Sequence, residues 1–300
     1  MEKKITPSFK ESLKSWDTEN ILDRYFYRPL GYKIAVLLNG TGVTPNLVTI
    51  ISIFVGVFGC ILFYPNDLYL NLLGFLILVF ANILDCVDGQ LARISGIKSE
   101  IGRILDGFCG DIWFLTFYTV MALRMMTYDH WGLWSIAIVA VSALSHLYQA
   151  GMVDYYKTLH LHFLKNGQNS EFGFSDSIKE KLNQLEWKKN PDKKFFLKLY
   201  YLYTLQQERS TPQLAAYVKH LNEIEPNGYS EQTVLQFRSK SLKMMPLLDS
   251  MTFNTRSLVM ILSLVLQLEW VYFVFEIILL NILLWISVGR HEKMCKLLNH

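Results

Sequence analysis

The sequence predicts an all-α membrane protein with six transmembrane helices, an N-terminal amphipathic surface helix and a helical cytoplasmic insertion between the fourth and fifth spans. Three observations predict this. Hydrophobic residues are 51% of the 300 and charged residues 18%, below the roughly 25% charged residues of soluble domains. The mean hydropathy of +0.22 fits apolar spans diluted by one sizeable polar segment. Apolar runs of spanning length recur along the chain, with Lys and Arg gathered on alternate connections between them. The net charge of +3 argues against nucleic acid as a partner.

Residues 1–40 form the N-terminal juxtamembrane segment. Lys3, Lys4, Lys10, Lys14, Arg24, Arg28 and Lys33 are mixed with acids and aromatics, without the short apolar core and cleavage site of a signal peptide. Ile21, Tyr25, Leu30, Ile34 and Leu37 recur at near-helical spacing, as in a helix lying on a membrane surface. Residues 41–156 hold the first four spans, Leu47–Tyr64, Leu68–Leu84, about Ile112–Met126 in a helix beginning near Ser99, and Trp131–Val153. Thr44 caps the first and Pro45 suits its first turn. Residues 157–250 mix charge with apolar residues at helical spacing. Asn166-Gly167, Asn190-Pro191, Thr211-Pro212 and Pro226-Asn227-Gly228 punctuate them as turns. Residues 251–300 hold spans five and six and the tail. The run Ser257–Val288 would extend about 48 Å as one helix, against a core of about 30 Å, so it divides near Gln267–Trp270.

Arg93, Lys98 and Arg103 lie between spans two and three, the 156–256 segment is Lys-rich, and Arg290, Lys293 and Lys296 follow span six. The opposite connections carry almost no Lys or Arg, with only Arg124 approaching one of them. Both termini, the insertion and the active site are therefore expected on the cytoplasmic side of a multi-pass integral membrane protein. Cys60, Cys86, Cys109 and Cys295 form no CxxC pair, so neither a zinc site nor a disulfide framework is indicated.

The chemistry concentrates between spans two and three. Asp85, Asp88, Gly89 and Ala92 share one helix face, and Gly102 and Asp106 share a face of the next helix. A helical hairpin brings the two faces together. Converging carboxylates repel one another unless a cation lies among them, and an all-oxygen donor set favours Mg²⁺ or Mn²⁺ beside substrate phosphates, with two ions plausible. The small residues let a flat group approach the backbone, and Arg93 offers a forked donor for phosphate.

These residues resemble the signature of the CDP-alcohol phosphatidyltransferase family, Asp-x2-Asp-Gly-x2-Ala-Arg-x8-Gly-x3-Asp-x3-Asp. Asp85, Asp88, Gly89, Ala92, Arg93, Gly102 and Asp106 match it, and Thr44-Pro45-Asn46 is similar to the segment before the family's first span. The resemblance implies that Asp85, Asp88 and Asp106 bind two Mg²⁺ or Mn²⁺ ions. It also implies that Gly89, Ala92, Gly102 and Arg93 hold the CDP part of the donor, and that a final aspartate serves as metal ligand and general base. That final position is Gly110 here, and the nearest acid, Asp111, comes one residue late. A π-bulge between Asp106 and Asp111, tolerated by Gly107 and Gly110, restores the alignment and makes Asp111 both ligand and base.

The reaction implied is transfer of a phosphate-linked group from a CDP-linked donor to an alcohol, with release of CMP, in phospholipid or sphingolipid headgroup synthesis. The donor is either CDP-diacylglycerol, with a small soluble alcohol as acceptor, or a CDP-headgroup, with a lipid alcohol. His146, Gln149 and Asp154 form a polar stripe on span four, read either as an acceptor pocket or as interhelical hydrogen bonding. Arg256 is read either as a phosphate ligand or as a topogenic charge. Glu276 and Asn281 within span six are functional candidates or members of a buried pair. A homodimer is a family-level expectation. Two other classes remain, a divalent-cation transporter, which needs no small residues in register with its acids, and an inactive scaffold, for which the displaced Asp111 speaks.

Overall fold

The computed structural model describes residues 8–97, 99–167, 172–186 and 189–298; Lys3, Lys4 and Lys98 of the charge pattern lie outside them. Among the described residues the regular elements are all helical. A π segment at Asp23–Tyr27 runs into α1 (Arg28–Leu38), and then come α2 (Pro45–Ile61), α3 (Leu68–Ser95), α4 (Glu100–Thr127) and α5 (Leu133–Leu164). The next five helices are α6 (Ser175–Gln184), α7 (Pro191–Ser210), α8 (Pro212–Ile224), α9 (Glu231–Ser241) and α10 (Met245–Asp249). The chain ends with α11 (Phe253–Val265), α12 (Glu269–Val274), a second π segment at Phe275–Leu279 and α13 (Leu280–Leu298).

Local chemistry sets the boundaries. Thr44 caps α2 by accepting from Leu47 N, with Pro45 in the first turn. Asp67 caps α3 through Leu70 N at 2.9 Å, and Ser99 caps α4 through Gly102 N at 2.9 Å. The turns expected from Asn-Pro and Thr-Pro start α7 and α8 with Pro191 and Pro212. The long final run is broken as expected, with Gln267 at φ 55° between α11 and α12. Among the described residues three stretches are long and apolar enough to cross a membrane, Leu68–Ser95, Leu133–Leu164 and Glu269–Leu298, and α2 is a shorter apolar helix.

The chain forms two compact units. The first, residues 1–147 and 252–279, is built around Cys60, Phe63, Leu78, Phe117, Met121 and Tyr272, all buried. On one side of this core Arg124 is completely enclosed. Its Nε donates to Glu269 Oε1 at 2.9 Å, its Nη1 to the carbonyls of Phe63 and Pro65 at 2.7 and 2.9 Å, and its Nη2 to Asn66 Oδ1 at 2.9 Å. One guanidinium thereby satisfies carbonyls left open beyond the end of α2 and ties α4 to α12. This accounts for the one arginine near connections otherwise free of Lys and Arg.

The second unit, residues 148–251 and 280–300, is held by ring stacking of Phe163 on Phe237 at 3.9 Å and Tyr156 on His291 at 3.6 Å. Glu292 of α13 accepts from the Gln213 and Leu214 amides at 2.9 and 3.1 Å. A carboxylate thus closes the positive end of α8, where Thr211 makes no side-chain cap.

Candidate metal centre

The site is built on the α3–α4 hairpin. Gly96, at φ 74°, ends α3 in the left-handed conformation that glycine adopts without steric cost. The chain then reverses into α4, and Asp106, in its second turn, comes back to Asp85 and Asp88. One carboxylate oxygen from each of the three lies within 4.8 Å of the others. Asp88 is buried, Asp85 half-buried and Asp106 exposed, so the group has a solvent side at Asp106.

Within this group Asp85 Oδ1 and Asp88 Oδ1 are buried without a hydrogen-bond partner. Buried carboxylate oxygens are costly without a donor or a cation. The other oxygen of Asp88 accepts from Thr49 Oγ1 of α2 at 2.5 Å. Thr49 Oγ1 also approaches Pro45 O at 3.1 Å. With one hydroxyl proton and two acceptors, the nearer, charged carboxylate is favoured. Three carboxylates, two of them with oxygens left open, make an all-oxygen donor set that fits a hard divalent cation.

The small residues of the motif sit against neighbours that bear on the site. A Cβ on Gly102 would lie 2.1 Å from Asn46 Oδ1 and 2.8 Å from Ser99 Oγ. Ser99 Oγ also donates to Asn46 Oδ1 at 3.0 Å. Asn46 therefore packs directly on the Gly102 backbone, and no larger residue fits there without moving it. A Cβ on Gly89 would meet Arg93 Nη2 at 3.2 Å, and Ala92 is half-buried. Arg93 Nε donates to the carbonyl of Ser12, while Gln90 Nε2 donates to Ser12 Oγ at 3.0 Å. The N-terminal segment is thus fastened to the motif helix. Arg28 joins it there, bonded to Glu19 at 3.1 Å. Burial works against the Arg28 charge, but the Glu19 and Asp23 carboxylates around it oppose burial and hold its pKa above the ordinary arginine range.

Asp111 departs from expectation. α4 is regular throughout Glu100–Thr127, and the π-bulge between Asp106 and Asp111 does not form. Five residues of regular helix turn about 500°, leaving Asp111 about 140° around α4 from Asp106. Asp111 instead shares its face with Phe114 and Tyr118, and the group of carboxylates found among the described residues is Asp85, Asp88 and Asp106 without it. Gly107 and Gly110 have open space around them. Nothing at those positions forces the helix out of its regular register.

The four residues of the expected acceptor pocket fall in two units. His146 and Arg256 are buried in the first, where Arg256 Nη1 bonds to Glu276, Glu276 lies 3.8 Å from His146 Nδ1, and Tyr118 OH lies 3.3 Å from the same nitrogen. Arg256 also stands over the Phe114 ring at 5.9 Å. These contacts form an enclosed charge cluster rather than an open pocket wall. Glu276 lies in the Phe275–Leu279 π segment, a distortion that often marks a constrained site. In the second unit Gln149 Nε2 donates to Asn281 Oδ1 at 3.0 Å, an interhelical bond, and Asp154 is exposed.

Sequence reasoning missed Thr49, Arg28 and Ser12 as neighbours of the motif. It saw Asn46 only as part of a helix start. Glu276 and Arg256 were both visible as charges beside or within apolar runs, but not as each other's partner.

Residues 42–164 match the family model of CDP-alcohol phosphatidyltransferases, a stretch that starts just before Thr44 and ends with α5. An uncharacterized protein of Aquifex aeolicus (strain VF5) is 32% identical over 81 residues, covering 27% of this chain and 40% of the relative. An archaetidylinositol phosphate synthase of Pyrococcus horikoshii is 30% identical over 113 residues, covering 32% of this chain and 58% of that protein. The chain thus spans about half the length of these curated relatives.

Proposed function

We propose that the CDP-alcohol phosphatidyltransferase domain of residues 42–164 transfers a phosphate-linked group from a CDP-activated donor to an alcohol and releases CMP. The observation that carries this reading is the convergence of Asp85, Asp88 and Asp106 within 4.8 Å, with two buried oxygens left open and the small residues of the motif beside them. Asp85, Asp88 and Asp106 hold Mg²⁺ or Mn²⁺, two ions in the full site. A divalent ion bound there supplies charge neutralisation for the diphosphate and the leaving CMP. The residues do the rest by positioning. Gly89, Ala92 and Gly102 pack around the cytidine, with Gly102 making room for Asn46, which together with Ser99 shapes the wall there, and Arg93 fastens the motif helix to the N-terminal segment near the donor phosphates.

Both roles given to Asp111 need the bulge. In a regular α4 its carboxylate stands about 140° around the helix from Asp106, out of hydrogen-bond reach of a hydroxyl attacking a phosphorus held at the metal group, so neither role is retained. The proton of the attacking hydroxyl leaves through the solvent side at Asp106. No covalent enzyme intermediate is required. The donor in this reading is a CDP-linked lipid and the acceptor a soluble alcohol or alcohol phosphate. The Pyrococcus relative supports that version, since its name describes an archaetidyl lipid joined to inositol phosphate.

In the membrane, six spans place both termini, the insertion and the metal centre on the cytoplasmic side, and residues 8–38 lie along the surface. The exposure of Ile21, Tyr25 and Leu37 supports that surface role. The test is a donor and acceptor screen on the purified protein, with products identified by mass spectrometry. A lipid product formed together with CMP from a CDP-linked lipid supports the reading. No turnover with any CDP-linked donor, in protein shown to bind Mn²⁺, overturns it.

A further inference from the structure

Helix α7 is inside out. Phe195, Leu199 and Leu202 stand on one face at helical spacing and are 51%, 45% and 50% exposed. On the opposite side Thr204 and Gln207 are 3% and 4% exposed. An amphipathic helix on a water-soluble unit is built the other way round, with its apolar face inward. Exposed Lys198 flanks the apolar stripe, while exposed Lys193 lies on the other side of the helix.

The anchoring of α7 indicates what its outer face meets. Gln207 Nε2 donates to the carbonyl of Gly151 at 2.7 Å, and Tyr148 OH pairs with Ser210 Oγ at 2.8 Å. A Cβ on Gly151 would lie 2.9 Å from the Tyr203 ring, so α7 closes directly on the α5 backbone there. Tyr148 and Gly151 belong to Leu133–Leu164, a stretch apolar and long enough to cross a membrane. At about 1.5 Å per residue they lie roughly 22 and 27 Å along it from Leu133, against a bilayer core of about 30 Å. The C-terminal half of α7 is therefore pinned at the level where α5 leaves the hydrocarbon.

From these observations we infer that α7 is an interfacial helix, its Phe195–Leu199–Leu202 face resting in a phospholipid surface and Lys198 reaching the phosphates. The inference rests on α5 crossing the membrane. It assigns the 157–250 insertion a membrane-facing side.

The test uses the full chain in phosphatidylcholine nanodiscs containing a headgroup-labelled nitroxide lipid. All four native cysteines are buried, so a single introduced cysteine carries a fluorophore at Leu199→Cys, Leu202→Cys, Lys193→Cys or Leu144→Cys. Leu144 is 69% exposed on α5 and reports, with an acyl-chain nitroxide lipid, whether α5 spans. The inference predicts quenching at positions 199 and 202 roughly twofold stronger than at 193 on the far side of the helix. Quenching at 144 with none at 199 and 202 overturns the α7 inference alone. No quenching at 144 overturns the spanning reading and the inference with it. Energy transfer between labelled copies at 199, without lipid quenching, overturns it in favour of a second chain as the occupant.

Discussion

Replacing Thr49 by valine removes one hydroxyl and keeps the shape of the side chain. Thr49 is 2% exposed, and its hydroxyl donates to Asp88 Oδ2 at 2.5 Å. Asp88 Oδ1 has no hydrogen-bond partner, so Thr49 sets the orientation in which Asp88 offers that oxygen to a cation. A hydrogen bond to a charged group contributes about 1.5–3 kcal/mol, which corresponds to roughly 10–150-fold in affinity. Loss of a group that orients a metal ligand gives the same range, about 10–100-fold. Thr49→Val is therefore expected to weaken Mn²⁺ binding by at least about tenfold, read by titrating the detergent-solubilised protein and following free Mn²⁺ by electron paramagnetic resonance. Thr49→Ser keeps the hydroxyl and is expected to stay close to wild type. Unchanged affinity in Thr49→Val, or equal loss in both variants, refutes the reasoning.

Arg124→Met leaves Glu269 enclosed without its partner, a loss of about 3–5 kcal/mol for a broken buried pair. Thermal unfolding in detergent should then fall by at least about 6 °C, and the Arg124→Met, Glu269→Gln double variant should recover part of it. Gly102→Ala drives a methyl into Asn46 Oδ1, 2.1 Å from the Cβ position, and CMP release should drop roughly tenfold or more. Adding Asn46→Gly should return part of that activity. Asp111→Asn should leave both CMP release and Mn²⁺ affinity within about twofold of wild type, because Asp111 lies outside the metal group in a regular α4. Loss of both would restore the bulged arrangement.

What could be read from the sequence was local. Asp85 and Asp88 share a face because they are three apart on a helix, and Thr44, Pro45 and Ser99 mark helix starts by their own chemistry. The division of the last apolar run follows from membrane thickness. The rest depends on contacts between distant segments, which helical period does not encode. Thr49 reaches Asp88 from another helix, Ser12 fastens Gln90 and Arg93, and Arg124 finds Glu269 near the opposite end of the chain. The Asp111 register shows the converse. A shared family pattern argued for a bulge, but no local feature of Gly107–Gly110 compels one, and the regular hydrogen-bonded helix prevails. The acceptor stripe of His146, Gln149 and Asp154 was read from one helix alone. Its polar groups are divided among Glu276, Asn281 and the exposed surface, and span-six polar residues can be assigned only when their partners are known.

The central claim is that Asp85, Asp88 and Asp106 hold the cation needed to release CMP from a CDP-linked donor. Its most direct measurement is CMP release by wild type and by the Asp85→Asn, Asp88→Asn double variant, in the same detergent–lipid mixture, with Mn²⁺ titrated from chelated to saturating. The account predicts wild-type turnover that depends on added Mn²⁺ and is lost on chelation, with the double variant inactive at every Mn²⁺ concentration although it folds and purifies like wild type. Mn²⁺-independent turnover in wild type, or retained turnover in the double variant, contradicts it.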